Sequence, residues 1–143
     1  MTLSEAIDEV LDAVVDSLSA AELASTVVRG DRASPSPKPP ALWVWHEQMT
    51  CDHTNNALRE QWSMPIVIAA FVYSQDAEKG YDRARKLAAD ARSEILKNRN
   101  LGLRDLVRDV KSTSFEANPR MTNDKNTLYW ADAVLTATLL LKE

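Results

Sequence analysis

The stretch MPIVIAAFVYSQDAEKGYDRARKLAADAR, residues 64–92, sets an unbroken apolar run against a charged, alanine-rich helical pattern, with only Ser74-Gln75-Asp76 at the join. Trp62, Met64, Ile66, Ile68, Ala70 and Val72 share one parity, and the later half of the run is apolar on both. That predicts a strand over 58–73, covered on both faces. Its length exceeds the usual five or six residues, so the early half, LREQWS, is expected to reach beyond the domain's own sheet. After the join, Ala77, Tyr81, Ala84, Leu87, Ala88, Ala91 and Ile95 recur at helical steps while Lys79, Arg83, Arg85 and Lys86 take the other face. This is an amphipathic helix, stopped between Asn98 and Gly102.

A strand running into a helix often holds a phosphate, but the turn then needs glycines so that the backbone can approach the ligand. VYSQDAEKGY has none before the helix begins, and Gly80 comes too late. Ser74 or Asp76 is better read as an N-cap for an orphan backbone N–H.

Working outward, Leu3, Ile7, Val10, Leu11, Val14, Val15 and Leu18 mark an N-terminal amphipathic helix whose other side is acidic. Ser19 with Glu22 offers to re-cap a short continuation, and Gly30 ends it. RGDRASPSPKPP (29–40) reads as a semi-rigid extended arm, because four prolines fix their own φ and remove donors. ALWVWHEQ (41–48) predicts a first strand and CDHTNN a polar loop. DLVRDVKSTSFEA (105–117) predicts a less apolar strand at or near an edge, NPRMTNDKN an exposed turn, and TLYWADAVLTATLLL (127–141) a long final strand. The fold class expected is α+β: a single domain with a mainly antiparallel sheet packed with helices, in the order α-β-β-α-β-β. Residues 1–40 form its N-terminal helix and proline-rich arm, and residues 41–143 its sheet domain.

Bulk properties narrow the function classes. A chain of 143 residues with 45% hydrophobic content is one domain of ordinary size. Its net charge of −4, from 17 basic and 21 acidic residues, leaves no excess to grip a phosphate backbone. The lone Cys51 cannot form an internal disulfide. MTLSEAIDEV has acids where an export signal has basic residues, and the apolar runs fall short of the ~20 residues that span a bilayer. A soluble, cytoplasmic protein is expected.

Motifs of chemistry are weak. His46, Cys51 and His53 lie near one another, but at irregular spacing and one ligand short of a structural zinc site. No serine lies in a G-x-S-x-G elbow, and Cys51 has no recognisable catalytic surroundings. Arg29-Gly30-Asp31 matches the adhesive tripeptide of extracellular ligands, and is read as coincidence. No catalytic, metal or cofactor site is expected. The four tryptophans are expected in the core, except Trp62, which sits in the overhanging half of its strand.

In the order and spacing of its segments the chain resembles the tail terminator, or tail completion, proteins of long-tailed bacteriophages. The segments are an N-terminal helix, KPPALWVW, the long strand QWSMPIVIAAFVYS, an A-x6-A-R-x-L-A helix, LGLRDLVRDVKSTSF, a polar turn and LYWADAVLTATLLL. The match spans about 41–141, with the helix before it matching more loosely. The resemblance implies a structural, non-enzymatic virion protein. It would form a ring, typically of six copies, that stops growth of the tail tube and meets the head-side connector, assembling in the host cytoplasm.

Its partners would be further copies of itself, the tail tube protein and a connector or neck protein, with DNA passing through without specific binding and no membrane contact. Unpaired strand edges, as templates for joining neighbours, fit such a role. The contacts to neighbouring rings are expected from the turn, through Arg120, Met121, Asn123, Asp124 and Lys125, and from the loop 51–59, through His53, Asn55 and Arg59, with Trp62 beside it. The alternatives are another neck or head-completion ring, a small α+β ligand-binding module, or an enzyme with a site between subunits.

Overall fold

A computed structural model of the chain describes residues 1–31, 38–54, 59–120 and 127–142. The elements are α1 (Leu3–Ala20), β1 (Thr26–Arg29), β2 (Ala41–His46), β3 (Thr50–Thr54), β4 (Arg59–Ser74), α2 (Ala77–Leu96), β5 (Val107–Arg120) and β6 (Thr127–Lys142). The fold is α+β. The described strands form one six-stranded sheet in the order β1-β2-β4-β6-β5, with β3 also pairing β4. Every pairing is antiparallel except β1 with β2.

Both helices lie on one face of the sheet. Leu42 and Val44 of β2, Met64, Ile66, Ile68, Ala70 and Val72 of β4, and the odd positions of β6 point at them. Ala6, Val10, Leu11, Val14 and Leu18 of α1 and Ala84, Leu87, Ala88, Ala91 and Ile95 of α2 complete the same core. α1 packs over β1 and β2, and α2 over β4, β6 and β5.

Local chemistry explains where the helices start. Thr2 caps α1 by accepting from Glu5 N, and Glu5 reaches back to Thr2 N, a reciprocal capping box. Asp76 caps α2, its Oδ1 accepting from Glu78 N at 3.0 Å and Lys79 N at 3.2 Å. The strand–helix join is thus closed by the protein's own carboxylate, where a phosphate would otherwise sit.

Several expectations are corrected. The first half of β4 does not overhang: Arg59–Ser63 pairs with β6 on one side, and Glu60–Ser63 with β3 on the other. The polar segment taken as a loop supplies that partner, because β3 forms a hairpin with β4. No helical continuation follows α1. Instead β1 leads from it and aligns with β2 in parallel, Val28 opposite Trp43. Pro65, unusual within a central strand, lies where β2 hands over to β3: the pairs flanking it are His46 with Ile66 and Thr50 with Ser63.

Candidate assembly surface

Side chains alternate across the pleat, so whatever does not face the helices faces outward. On β2 these are Trp43 and Trp45, on β4 Val67, Ala69, Phe71 and Tyr73, and on β6 Leu128, Trp130, Asp132 and Val134. No described element covers this second face. The expectations that the tryptophans enter the core and that β4 is covered on both sides are therefore corrected. Trp43, Trp45 and Trp130 are half-buried on the open face, and Tyr73 is 47% exposed.

The aromatic side chains there form a row across three strands. Phe71 stands edge-on to Trp43 at 5.6 Å between ring centroids and to Trp130 at 6.1 Å, the arrangement that ring quadrupoles favour. Large residues sit beside small ones across the ladder, Trp43 opposite Ala69 and Trp45 opposite Val67, which leaves Ala69 and Val67 buried. Beside the row, a cleft of about 360 Å³ is lined by Gly30, Asp31, Trp43, Trp45 and His46.

Two polar atoms on this face are buried without a hydrogen-bond partner among the described residues, Trp43 Nε1 and Asp132 Oδ1. Burial pushes the Asp132 carboxyl above the usual carboxylate range, and the charges of Glu116 and Glu47 push it the same way. Unpaired buried polar atoms on an uncovered apolar surface are what a surface awaiting a partner presents.

At the same end of the sheet, Arg29 is 8% exposed. Its fork holds Asp31 bidentately, at 3.1 Å from Nε and 2.7 Å from Nη2, and its Nη1 reaches Asp8 at 2.9 Å and Asp12 at 3.2 Å. The Asp31 bonds raise the guanidinium pKa further, burial opposes them, and Asp8 and Asp12 add to the rise. The Arg-Gly-Asp tripeptide is thus a latch tying β1 to α1, and its guanidinium is not presented to a receptor. Signals for the latch were present in the sequence: β-branched Thr26-Val27-Val28 before Arg29, and aspartates four apart on the polar side of α1.

No family model and no curated protein matches the sequence. Among solved structures, a chain of the virion of a native gene transfer agent particle superposes with a TM-score of 0.63 at 17% identity, over 92% of this chain and 94% of that one. At that identity the likeness establishes the fold.

The residues singled out from sequence are scattered. Arg120 ends β5, opposite Leu128, and His53 lies in β3, opposite Gln61. Met121, Asn123, Asp124, Lys125 and Asn55 fall outside the described residues. Arg59 opens β4, opposite Lys142 at the far end of β6. Trp62 is partly buried against the helix-side core and donates from Nε1 to Glu60 at 3.2 Å. Cys51 is exposed, with Sγ 3.9 Å from Glu60 Oε2, and Ser63 and Thr50 both donate to Asp52. The aromatic row was missed because parity alone does not say which face the helices will cover.

Proposed function

We propose that this chain is a structural protein of a phage-like virion, forming a ring that terminates the tail tube and offers its other face to the head-side connector. The observation that carries this reading is the fold likeness, nearly end to end in both chains, to a component of a gene transfer agent virion. The segment order shared with tail terminators supports the finer role, and six copies is the number that resemblance implies. An open sheet face bearing an aromatic row and unpaired polar atoms suits a protein completed by neighbours.

The tail tube protein and a connector protein are the partners this role requires, with further copies of the chain closing the ring. A mild net negative charge suits a channel that DNA must slide through.

Particles assembled with and without the chain test the reading. A gold label on the chain should lie at the head–tail junction, and its deletion should give overgrown tails or tails detached from heads. Label at the junction with deletion tails of normal length would make the chain a neck or head-completion ring. Label elsewhere, or normal particles lacking the chain, would overturn the proposal.

A further inference from the structure

The two ends of the sheet carry opposite charge. Over the β1–β2 end lies α1, whose residues Glu5, Asp8, Glu9, Asp12 and Asp16 are unrelieved by any lysine or arginine of the helix. The one guanidinium within residues 1–31, that of Arg29, is buried beneath them. Glu5, Glu9, Asp12 and Asp16 are exposed.

The opposite end is the edge strand β5 with the segment leading into it. Residues 92–111 hold six lysines and arginines against three acids. Within them Arg99 pairs with Asp109 at 3.3 Å and Lys97 with Glu94 at 2.9 Å. Arg104, Arg108 and Lys111 are exposed and make no ion pair among the described residues. Beyond them on the same strand, Phe115 is 40% exposed. Among the described strands only one side of β5 is paired, so its other side is an edge open to a partner, apart from the Val110 carbonyl, which accepts from Arg99 Nε at 3.1 Å.

We propose that the acidic α1–β1 end of one copy docks on the basic β5 edge of a second copy of this chain. Charge complementarity selects the occupant, because each end carries the charge the other lacks. Apolar groups flank the same two sheet edges, the Trp43–Trp45 cleft on the open face at one and Phe115, opposite Ala133, on the helix side at the other. With four inter-strand steps from β1 to β5, the patches are roughly 20 Å apart. A contact between them therefore leaves each copy with one free end of each kind. Such a head-to-tail contact propagates and closes into a ring where its rotation allows. The inference rests on the ring reading above and names the surfaces that would build it.

The test uses two charge-reversed forms of the full chain. Glu9→Lys with Asp16→Lys cuts the net charge of α1 from −5 to −1 and so removes most of the acidic end, and Arg104→Glu with Arg108→Glu and Lys111→Glu takes residues 92–111 from +3 to −3, which makes both ends acidic. All five positions are exposed and lie outside the capping box and the Arg29 latch, and thermal melts verify that each form folds. In sedimentation at low ionic strength the wild-type chain should self-associate, and added salt should weaken the association.

Each reversed form alone should associate at least about tenfold more weakly, while an equimolar mixture of the two should recover association. A wild-type chain that stays monomeric under these conditions overturns the proposal. So does association indifferent to either reversal, or a mixture no stronger than its parts. Labelled particles separate the two readings: a chain at the head–tail junction with reversal-insensitive association removes this docking surface and leaves the ring. Recovered pairing in a chain absent from the junction removes the tail role and leaves the surface.

Discussion

Tyr129 of β6 packs directly against the backbone of Gly80 in α2: a Cβ placed on Gly80 would lie 2.5 Å from Tyr129 Cε2 and 2.9 Å from Ser74 Cβ. The glycine that came too late for a phosphate loop is there because a buried ring occupies the space a side chain would need. Alanine in place of a helical glycine ordinarily gains up to ~1 kcal/mol. Here Gly80→Ala should instead cost about 1–3 kcal/mol through overpacking, read as a lowered denaturation midpoint. In a Tyr129→Ala background the same change should become neutral or favourable. A stabilised single variant would show that the ring yields easily.

The Arg29 latch gives a second expectation. Arg29→Met leaves Asp8, Asp12 and Asp31 facing one another without their shared cation and should cost about 2–3 kcal/mol, in the range of a charged hydrogen-bond set lost from a buried group. Arg29→Lys should fall between, because an ammonium cannot fork onto one carboxylate while reaching two others. Hydrogen exchange should show α1 opening earlier in both variants, while β4 and β6 keep their protection. Equal protection of α1 in the wild type and Arg29→Met would mean that α1 is held by its apolar face alone.

Asp132 makes stability fall as pH rises. Its folded pKa lies above the ordinary aspartate value of 3.8, so on raising the pH the unfolded chain loses this proton first. Stability then declines from that value up to the folded pKa and stays reduced above it. Asp132→Asn should therefore raise the melting temperature at neutral pH, and its advantage should shrink as the pH is lowered towards 3.8. An advantage independent of pH would trace to packing instead of charge.

The segment 118–126, read from the sequence as a turn, tests the expected ring-to-ring contact. Arg120 offers a fork to a carboxylate and Met121 an adaptable apolar group. Replacing both with serine should shift stability by less than ~0.5 kcal/mol, yet the variant should fail to complement a deletion. A well-folded variant that supports particles of normal length and yield would move the contact to another surface.

How much of this was legible in the sequence depends on burial. α1, β4, α2 and β6 each bury a periodic apolar face, so period and caps place them within one or two residues. β5 ends three residues later than its composition suggested and takes in Pro119, which is tolerated because an edge strand has one unpaired side. β1 has four residues and β3 has no apolar residue apart from Cys51. Neither has a pattern of its own, and each is specified only by the strand it pairs with. The same dependence hid the open face, since Trp43 and Leu42 look equally fit for a core until the helices choose a side. The aspartate–arginine latch joins residues 17 and 21 positions apart, a proximity that no local window contains.

The β4–β6 ladder runs in unbroken register from Arg59 opposite Lys142 to Ser74 opposite Thr127, a span of about 50 Å at the usual rise per residue. Force along that axis, sliding one strand past the other, loads every hydrogen bond of the ladder at once. Force across it would peel them apart one by one. The two strands therefore make a stiff strut in shear. In the ring proposed above, a subunit seated with this axis parallel to the channel would meet an axial thrust along its strongest direction.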